Sequence, residues 1–303
     1  MIDILIKIFS SKHRNKILNK IKFYYLRIII AKLLTQYILP TYLKIFPIKK
    51  NKNIQKGLIV SLTSFPARIH NLWIVIESIL NQTLQPEKII LWLSSLEFKD
   101  KTQLPKMLLK LQTKGLEIRF VEENIMSHKK YFYAIKEFPQ SYIVTIDDDI
   151  LYHSSLIENL FRLSMQQNAV VCNYARYIND TNGKISNYTK WPVIKSEHDE
   201  PIYAPNIFFG SGGGTIFPPN SLHPDVLKRS LFLELTPRAD DIWLNAMCRI
   251  NNSKIIYLNS KYSLLPIESS NSSKLSTENI GNNLNDVQIK NICDYYGSNI
   301  FLK

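Results

Sequence analysis

The two sequence signatures that most often announce a nucleotide phosphate site are missing from this 303-residue chain. No G-x-G-x-x-G follows its first apolar run and no G-x-x-x-x-G-K-[ST] occurs anywhere, which removes dinucleotide oxidoreductases and P-loop ATPases. Cysteine is scarce: Cys172, Cys248 and Cys293 are odd in number, far apart and without metal-type spacing. That excludes a disulfide framework and points to a reducing compartment. His70, His128, His153, His198 and His223 show no ligand spacing either, although His153 lies close to the aspartates described below. Long apolar runs are also lacking. In the N-terminal segment the longest uncharged stretch, Leu33 to Leu43, contains Pro40 and falls short of the roughly 18 to 20 residues of a membrane span. Lys7 interrupts the first apolar run and no small-residue cleavage site follows, so no signal peptide is expected. No internal repeat is visible.

What is present is a large globular chain with 45% hydrophobic residues, enough for a sizeable core. Its net charge of +13 is unevenly placed, because residues 1–50 hold 11 Lys and Arg against only Asp3. Ile17, Ile21, Tyr24 and Ile28 recur there at helical spacing among Lys16, Lys20 and Arg27. Two readings stand: a cationic amphipathic helix suited to an anionic membrane surface, or a helix that packs on the domain and shows its lysines to water. Nucleic acid is not an expected partner, since no basic stripe with stacking aromatics lies outside this segment.

From Gly57 the pattern alternates between strand and helix. Strands are expected at Gly57–Ser61, Ile89–Leu93, Leu116–Val121 and Tyr142–Ile146, with helices at Asn71–Leu80, from Pro105 to Gly115 and at Ser127–Phe138. This is an α/β chain with a Rossmann-like nucleotide-binding half. The last of these strands delivers Asp147, Asp148 and Asp149 at its C-terminal end. Open α/β sheets bind ligands there, and three carboxylates together are costly unless a cation offsets them. Strand alternation sets Asp147 and Asp149 on one side and Asp148 on the other. Hard oxygen donors of this kind suit Mg²⁺ or Mn²⁺ held jointly with substrate phosphates. An acidic turn capping the helix near Ser154 is the alternative.

The second half is less regular. A strand is expected at Ala169–Tyr174, followed by a polar insertion over Asn179–Glu200. Gly210-Ser211-Gly212-Gly213-Gly214 then contains four of the nine glycines. Either a sugar or phosphate presses against Gly212, Gly213 and Gly214, or the backbone bends tightly there. Asp240-Asp241 opens a helical stretch running to Arg249, Ser269–Asn285 reads as a polar loop or lid, and Leu284–Tyr296 as a last helix.

Ile143 to Ile150 resembles the strand and D-x-D motif of metal-dependent glycosyltransferases of the GT-A fold. Ser61-Leu62-Thr63-Ser64-Phe65-Pro66-Ala67-Arg68 and Ser127-His128-Lys129-Lys130-Tyr131 resemble bacterial enzymes that build surface polysaccharides, and Ala239-Asp240-Asp241-Ile242 with Asn245 resembles the acidic motif of exostosin-like transferases. The likeness covers roughly residues 57–265, leaving out the N-terminal 50 residues and the tail. It implies Asp147 at the donor ribose, Asp149 at Mn²⁺ or Mg²⁺ with Asp147 beside it, and Asp148 in the same donor motif. It also implies contacts from Thr63, Ser64 and Arg68 to base and ribose. Lys129 and Lys130 would add positive charge near the diphosphate, unless they form a solvated helix face. Asp240 and Asp241 fall on the acceptor side, with Asp241 as general base if the anomeric carbon inverts; if configuration is retained, it would orient substrate instead. The resemblance implies a nucleotide-sugar donor, UDP-sugar favoured, and a glycan or lipid-linked acceptor on the cytoplasmic side.

The division expected is a basic helical extension over 1–50, a GT-A domain over 51–268 and a tail over 269–303. Two rivals are weighed. A haloacid-dehalogenase-type phosphatase also places D-x-D after an apolar strand, but in its opening strand and with Thr or Val where Leu151 stands here. A non-catalytic membrane-associated binding protein explains the N-terminus but not two separated acidic clusters.

Overall fold

In the computed structural model, the described residues are 1–9, 29–48, 53–195, 200–262, 264–267 and 283–302. The amphipathic stretch around Ile17–Ile28, His198 and most of the Ser269–Asn285 loop lie outside them.

Among the described residues fourteen strands run in chain order as β1 (Ile54–Thr63), β2 (Gln85–Ser94), β3 (Leu116–Val121), β4 (Tyr142–Ile146), β5 (Ile150–Leu151), β6 (Val170–Cys172), β7 (Ala175–Tyr177), β8 (Asp180–Thr181), β9 (Lys184–Ile185), β10 (Ile202–Tyr203), β11 (Ile207–Phe209), β12 (Gly213–Phe217), β13 (Ile255–Tyr257) and β14 (Leu265–Pro266). Eight of them form one sheet in the order β10-β13-β6-β12-β4-β1-β2-β3. β3, β2, β1 and β4 are mutually parallel, and β12 enters antiparallel between β4 and β6. The parallel half has the β-α-β order expected of a nucleotide-binding unit, with the ends of β1 and β4 side by side.

Strand alternation sorts the core. Leu58, Val60 and Leu62 of β1 join one apolar cluster with the helices Leu72–Leu80 and Leu156–Gln167, while Ile59 faces a small cluster beneath the helix Lys129–Glu137. The helix Leu72–Leu80 is buried at every position, which accounts for its nearly unbroken apolar sequence. Gly115 closes the third helical segment in the left-handed conformation, φ 107°, where a side chain would be strained. A second large cluster gathers around the helices Asp240–Ile250 and Leu284–Tyr296 and includes Trp191. The expected polar insertion is therefore partly core: Trp191 is buried, because its indole N–H finds the Ser186 carbonyl at 2.9 Å.

The N-terminal helix Ile2–Phe9 buries Ile2, Leu5 and Ile6, and residues 29–45 are helical with Leu39 and Leu43 buried in the same cluster as β1. Within the described residues, then, this segment packs on the domain. Its turn over Leu34–Ile38 is a wide π-turn just before Pro40, which has no N–H and whose ring would crowd the preceding helical turn.

Candidate active site

The ends of β1 and β4 face the start of the helix Asp240–Ile250 across a cleft of about 540 Å³. Thr63, Ser64, Arg68, Lys129, Lys130 and all three aspartates of 147–149 line it, as do Asp240 and Asp241. The two acidic clusters, about ninety residues apart in sequence, thus share one space.

The aspartate loop divides as alternation requires. Asp148 is turned inward: the Ser64 hydroxyl donates to its Oδ2 at 2.6 Å and the Arg68 guanidinium to its Oδ1 at 2.8 Å. Burial raises its pKa, against the opposing pull of Arg68 and Ser64. Asp147 and Asp149 are more open, with side chains 40% and 22% exposed, against 6% for Asp148. Arg68 also reaches Asp149 Oδ2 at 3.0 Å, so one guanidinium spans two carboxylates. Below the loop, the buried Tyr152 hydroxyl accepts from the Asp147 N–H at 2.9 Å and donates to the Gly212 carbonyl at 2.6 Å.

Lys130 joins the clusters. Its ammonium, almost wholly buried, lies 2.9 Å from Asp147 Oδ1 and 3.0 Å from Asp240 Oδ2. Burial alone would lower its pKa, but Asp147, Asp240 and Asp241 hold it well above the usual ammonium range. Neither lysine forms a solvated face. Lys129 is also buried and is held by Glu97 at 3.0 Å and Asn124 at 2.8 Å on the rim.

Asp240 and Asp241 open their helix where its unpaired N–H groups favour negative charge. Ser211 orders both, its hydroxyl donating to Asp240 Oδ2 at 2.6 Å and its N–H to Asp241 Oδ1 at 2.7 Å. Their environments push them apart. Burial would raise Asp240, yet Lys130 brings it down to about 2; burial and the Asp240 charge push Asp241 up to about 6. A carboxylate so poised is suited to taking a proton near neutral pH. Asn245, one turn on, donates to the Asp241 carbonyl at 2.8 Å and exchanges hydrogen bonds with the Phe209 backbone, fixing the helix against β11.

The profile of the family described as glycosyl transferase family 2 matches residues 65–223, just over half of the 303. This chain belongs to glycosyl transferase family 2. Its central sheet, parallel in the nucleotide half and with β12 inside it and β10 at its edge running antiparallel, is the GT-A form of the α/β class. Among solved structures, S. aureus TarS 1-349 matches at 14% identity with a TM-score of 0.46, over 76% of this chain and 63% of that one. The same protein in complex with UDP matches at 14% identity and a TM-score of 0.45, over 78% and 65%. An apo UDP-glucose pyrophosphorylase matches at 11% identity and a TM-score of 0.40, over 79% and 97%. The chain thus spans less than two thirds of the TarS chains it matches. No curated protein matches it.

Gly212, Gly213 and Gly214 are not among the residues lining the cleft. A Cβ on Gly212 would fall 1.9 Å from the Asp147 carboxylate, one on Gly213 2.4 Å from Tyr174 Cβ, and one on Gly214 2.9 Å from Leu156 Cδ2. Gly214 also has φ +92° at an irregularity in the β12–β4 ladder. The glycines admit the chain's own side chains, and the loop meets the site through Ser211. Gly212→Ala is expected to displace the Asp147 carboxylate from Lys130, lowering transfer about tenfold or more, while the side chain's freedom to rotate keeps the stability loss near 1 kcal/mol. Parallel assays of turnover and thermal melting test this; an unchanged rate refutes it.

His153 does not enter the cleft lining; it stacks on Tyr262 at 3.5 Å, beside the N-terminal helix, where Asp3 and Lys7 bear on it. His128 is core, bonded to the Tyr131 hydroxyl and the Thr236 carbonyl, and burial lowers it to about 4. Cleft residues that sequence reasoning passes over include Glu97, Asn124, Tyr188 and Arg238. Tyr188 carried one signal, an aromatic next to Trp191 in an otherwise polar stretch; the other three carried none.

Proposed function

We propose that the chain transfers a hexosyl or N-acetylhexosaminyl group from a nucleotide sugar, a UDP-sugar first among donors, to a glycan or lipid-linked acceptor in bacterial surface polysaccharide or lipooligosaccharide synthesis on the cytoplasmic side. The observation that carries this is the single cleft in which the aspartate loop and Asp240-Asp241 meet through Lys130. The phosphatase reading falls with the family, and turnover of a donor separates the transferase from a non-catalytic binding protein.

Among the described residues no group of three or more His, Cys, Asp or Glu side chains is placed to hold a metal ion. Two open carboxylates, Asp147 and Asp149, nonetheless fit a hard cation that takes its remaining ligands from phosphate and water. We assign them that role, with Mn²⁺ or Mg²⁺ as the ion; when bound, it would offset the negative charge that accumulates on a nucleoside diphosphate as the sugar–phosphate bond breaks. The chain's own groups supply the rest. Thr63, Ser64 and Arg68 border the donor side, Arg68 and Lys130 supply fixed positive charge, and Lys129 sits at the rim with Glu97. Asp241 takes the proton of the acceptor hydroxyl, and Asp240, held ionised by Lys130, keeps that neighbour's affinity for the proton high.

The deciding experiment is nucleoside-diphosphate release by the purified chain from a panel of UDP-, GDP- and dTDP-sugars, with CMP release scored for CMP-sugars, in Mn²⁺ and then in excess chelator. Chelator-sensitive release from one donor is expected; no release from any donor rejects the reading. Asp149→Ala should reduce the metal-dependent rate about a hundredfold or more without unfolding the chain, because the carboxylate is partly exposed. Full activity in that variant removes the metal assignment.

A further inference from the structure

The helix over 29–45 presents two faces. Thr35, Leu39 and Leu43, at four-residue steps, are buried against the domain. On its remaining surface Ile30, Leu33 and Tyr37, then Ile38, Tyr42 and Ile45, recur at three- and four-residue steps and are all exposed, Ile45 to 63%. Phe46 continues the row and is also exposed. A stripe of this length is unlike the scattered single apolar residues of ordinary protein surface. Across residues 1–9, Ile4 and Ile8 add a second exposed pair one helical turn apart.

Charge identifies the occupant. Lys7, Lys32 and Lys44 are exposed alongside these residues. No acidic residue occurs between Asp3 and residue 77, and Asp3 is itself taken up by the Ser154 N–H at 3.0 Å and hydroxyl at 2.6 Å. Lys7, Lys32 and Lys44 would make two copies of this face repel each other. The same charge attracts an anionic lipid surface, into which aliphatic side chains insert and at whose boundary Tyr settles. No described helix is long and apolar enough to cross a membrane, so the contact is with the surface plane.

We propose that the exposed stripe of Ile30, Leu33, Tyr37, Ile38, Tyr42 and Ile45, with its flanking lysines, docks the enzyme on a bilayer containing anionic lipid. This contact does not depend on the transferase reading, and its test leaves turnover of a soluble donor as a separate measurement. The full chain is sedimented with vesicles of phosphatidylcholine alone and with vesicles of equimolar phosphatidylcholine and phosphatidylglycerol. Binding is expected to the anionic vesicles, weakening as salt is raised. The triple variant Leu33→Ser, Ile38→Ser, Ile45→Ser should partition at least about tenfold less, and the pair Lys32→Gln, Lys44→Gln roughly fivefold less or more. All five positions are exposed, so circular dichroism should show an unchanged fold; single Leu33→Ser and Ile45→Ser variants, each expected to lose about threefold, keep the test readable if the triple variant is unstable. Wild-type protein that stays in the supernatant, or a triple variant that binds as wild type, overturns the proposal. So does self-association without vesicles that the triple variant abolishes, which would assign the stripe to a second copy.

Discussion

Lys130→Met is expected to lose about 3 kcal/mol of stability at neutral pH, because it leaves the buried Asp240, with the partly exposed Asp147 near it, without their shared cation. For a chain of this size that corresponds to a melting temperature lower by about 5–8 °C. The pH dependence carries a sign. Asp240 is held at about 2, below its ordinary 3.8, so the stability it contributes is present above the ordinary value and is lost as pH falls through the depressed one. The gap between parent and variant should therefore be widest at neutral pH and close as the solution is acidified. Thermal melting across that range measures it; a variant that melts within about 2 °C of the parent at neutral pH refutes the bridging role. Activity should fall along with stability, since Asp240 and Asp241 would then share less positive charge.

Asp241→Asn should separate activity from stability in the opposite sense. As general base, its removal is expected to lower kcat by about a hundredfold to ten-thousandfold. In the parent, kcat/KM should rise with pH and level off above about 6, where the carboxyl is ionised. The folded protein binds this proton more tightly than the unfolded chain does, so Asp241 costs stability progressively as pH rises from 3.8 to about 6 and in full above that. The raised value corresponds to about 3 kcal/mol, and much of this should return as extra stability in the Asn variant at pH 7.5. Below the ordinary carboxylate range the two proteins should melt alike. An Asn variant that is slow but no more stable would mean that the carboxylate is better solvated than its place beside Asp240 suggests, and one that keeps full activity would remove the general-base role.

The elements that were legible in the sequence are those whose residues alone determine their environment. Tyr142–Ile146 is apolar but for Thr145 because both faces of β4 are covered, and its boundaries in the fold are the ones the pattern gives; Leu116–Val121 and Leu284–Tyr296 likewise match. The alternation of Asp147, Asp148 and Asp149 was readable for the same reason. What stayed hidden depends on long-range approach. Nothing local distinguishes Lys130, buried between two carboxylates, from a lysine on a wet helix face, and its partners lie 17 and 110 positions away. The glycine run announced a close approach but not what approaches, and the answer was Asp147, Tyr174 and Leu156. Ser211, set among those glycines, orders both Asp240 and Asp241 and carried no separate signal.

The placement of β12 bears on how the chain can be divided. β4 completes one edge against β1 as soon as residue 146 exists, but its other edge is filled only by Gly213–Phe217. Any fragment ending before that strand, however well its first four strands pair, leaves the central β4 with a bare row of peptide groups and strands the aspartate loop at an open seam. Such fragments should gather into aggregates instead of behaving as a free-standing nucleotide module. During synthesis, too, the seam stays open until the ribosome has released residue 217, so the half that looks self-sufficient in the sequence is finished by the half that does not.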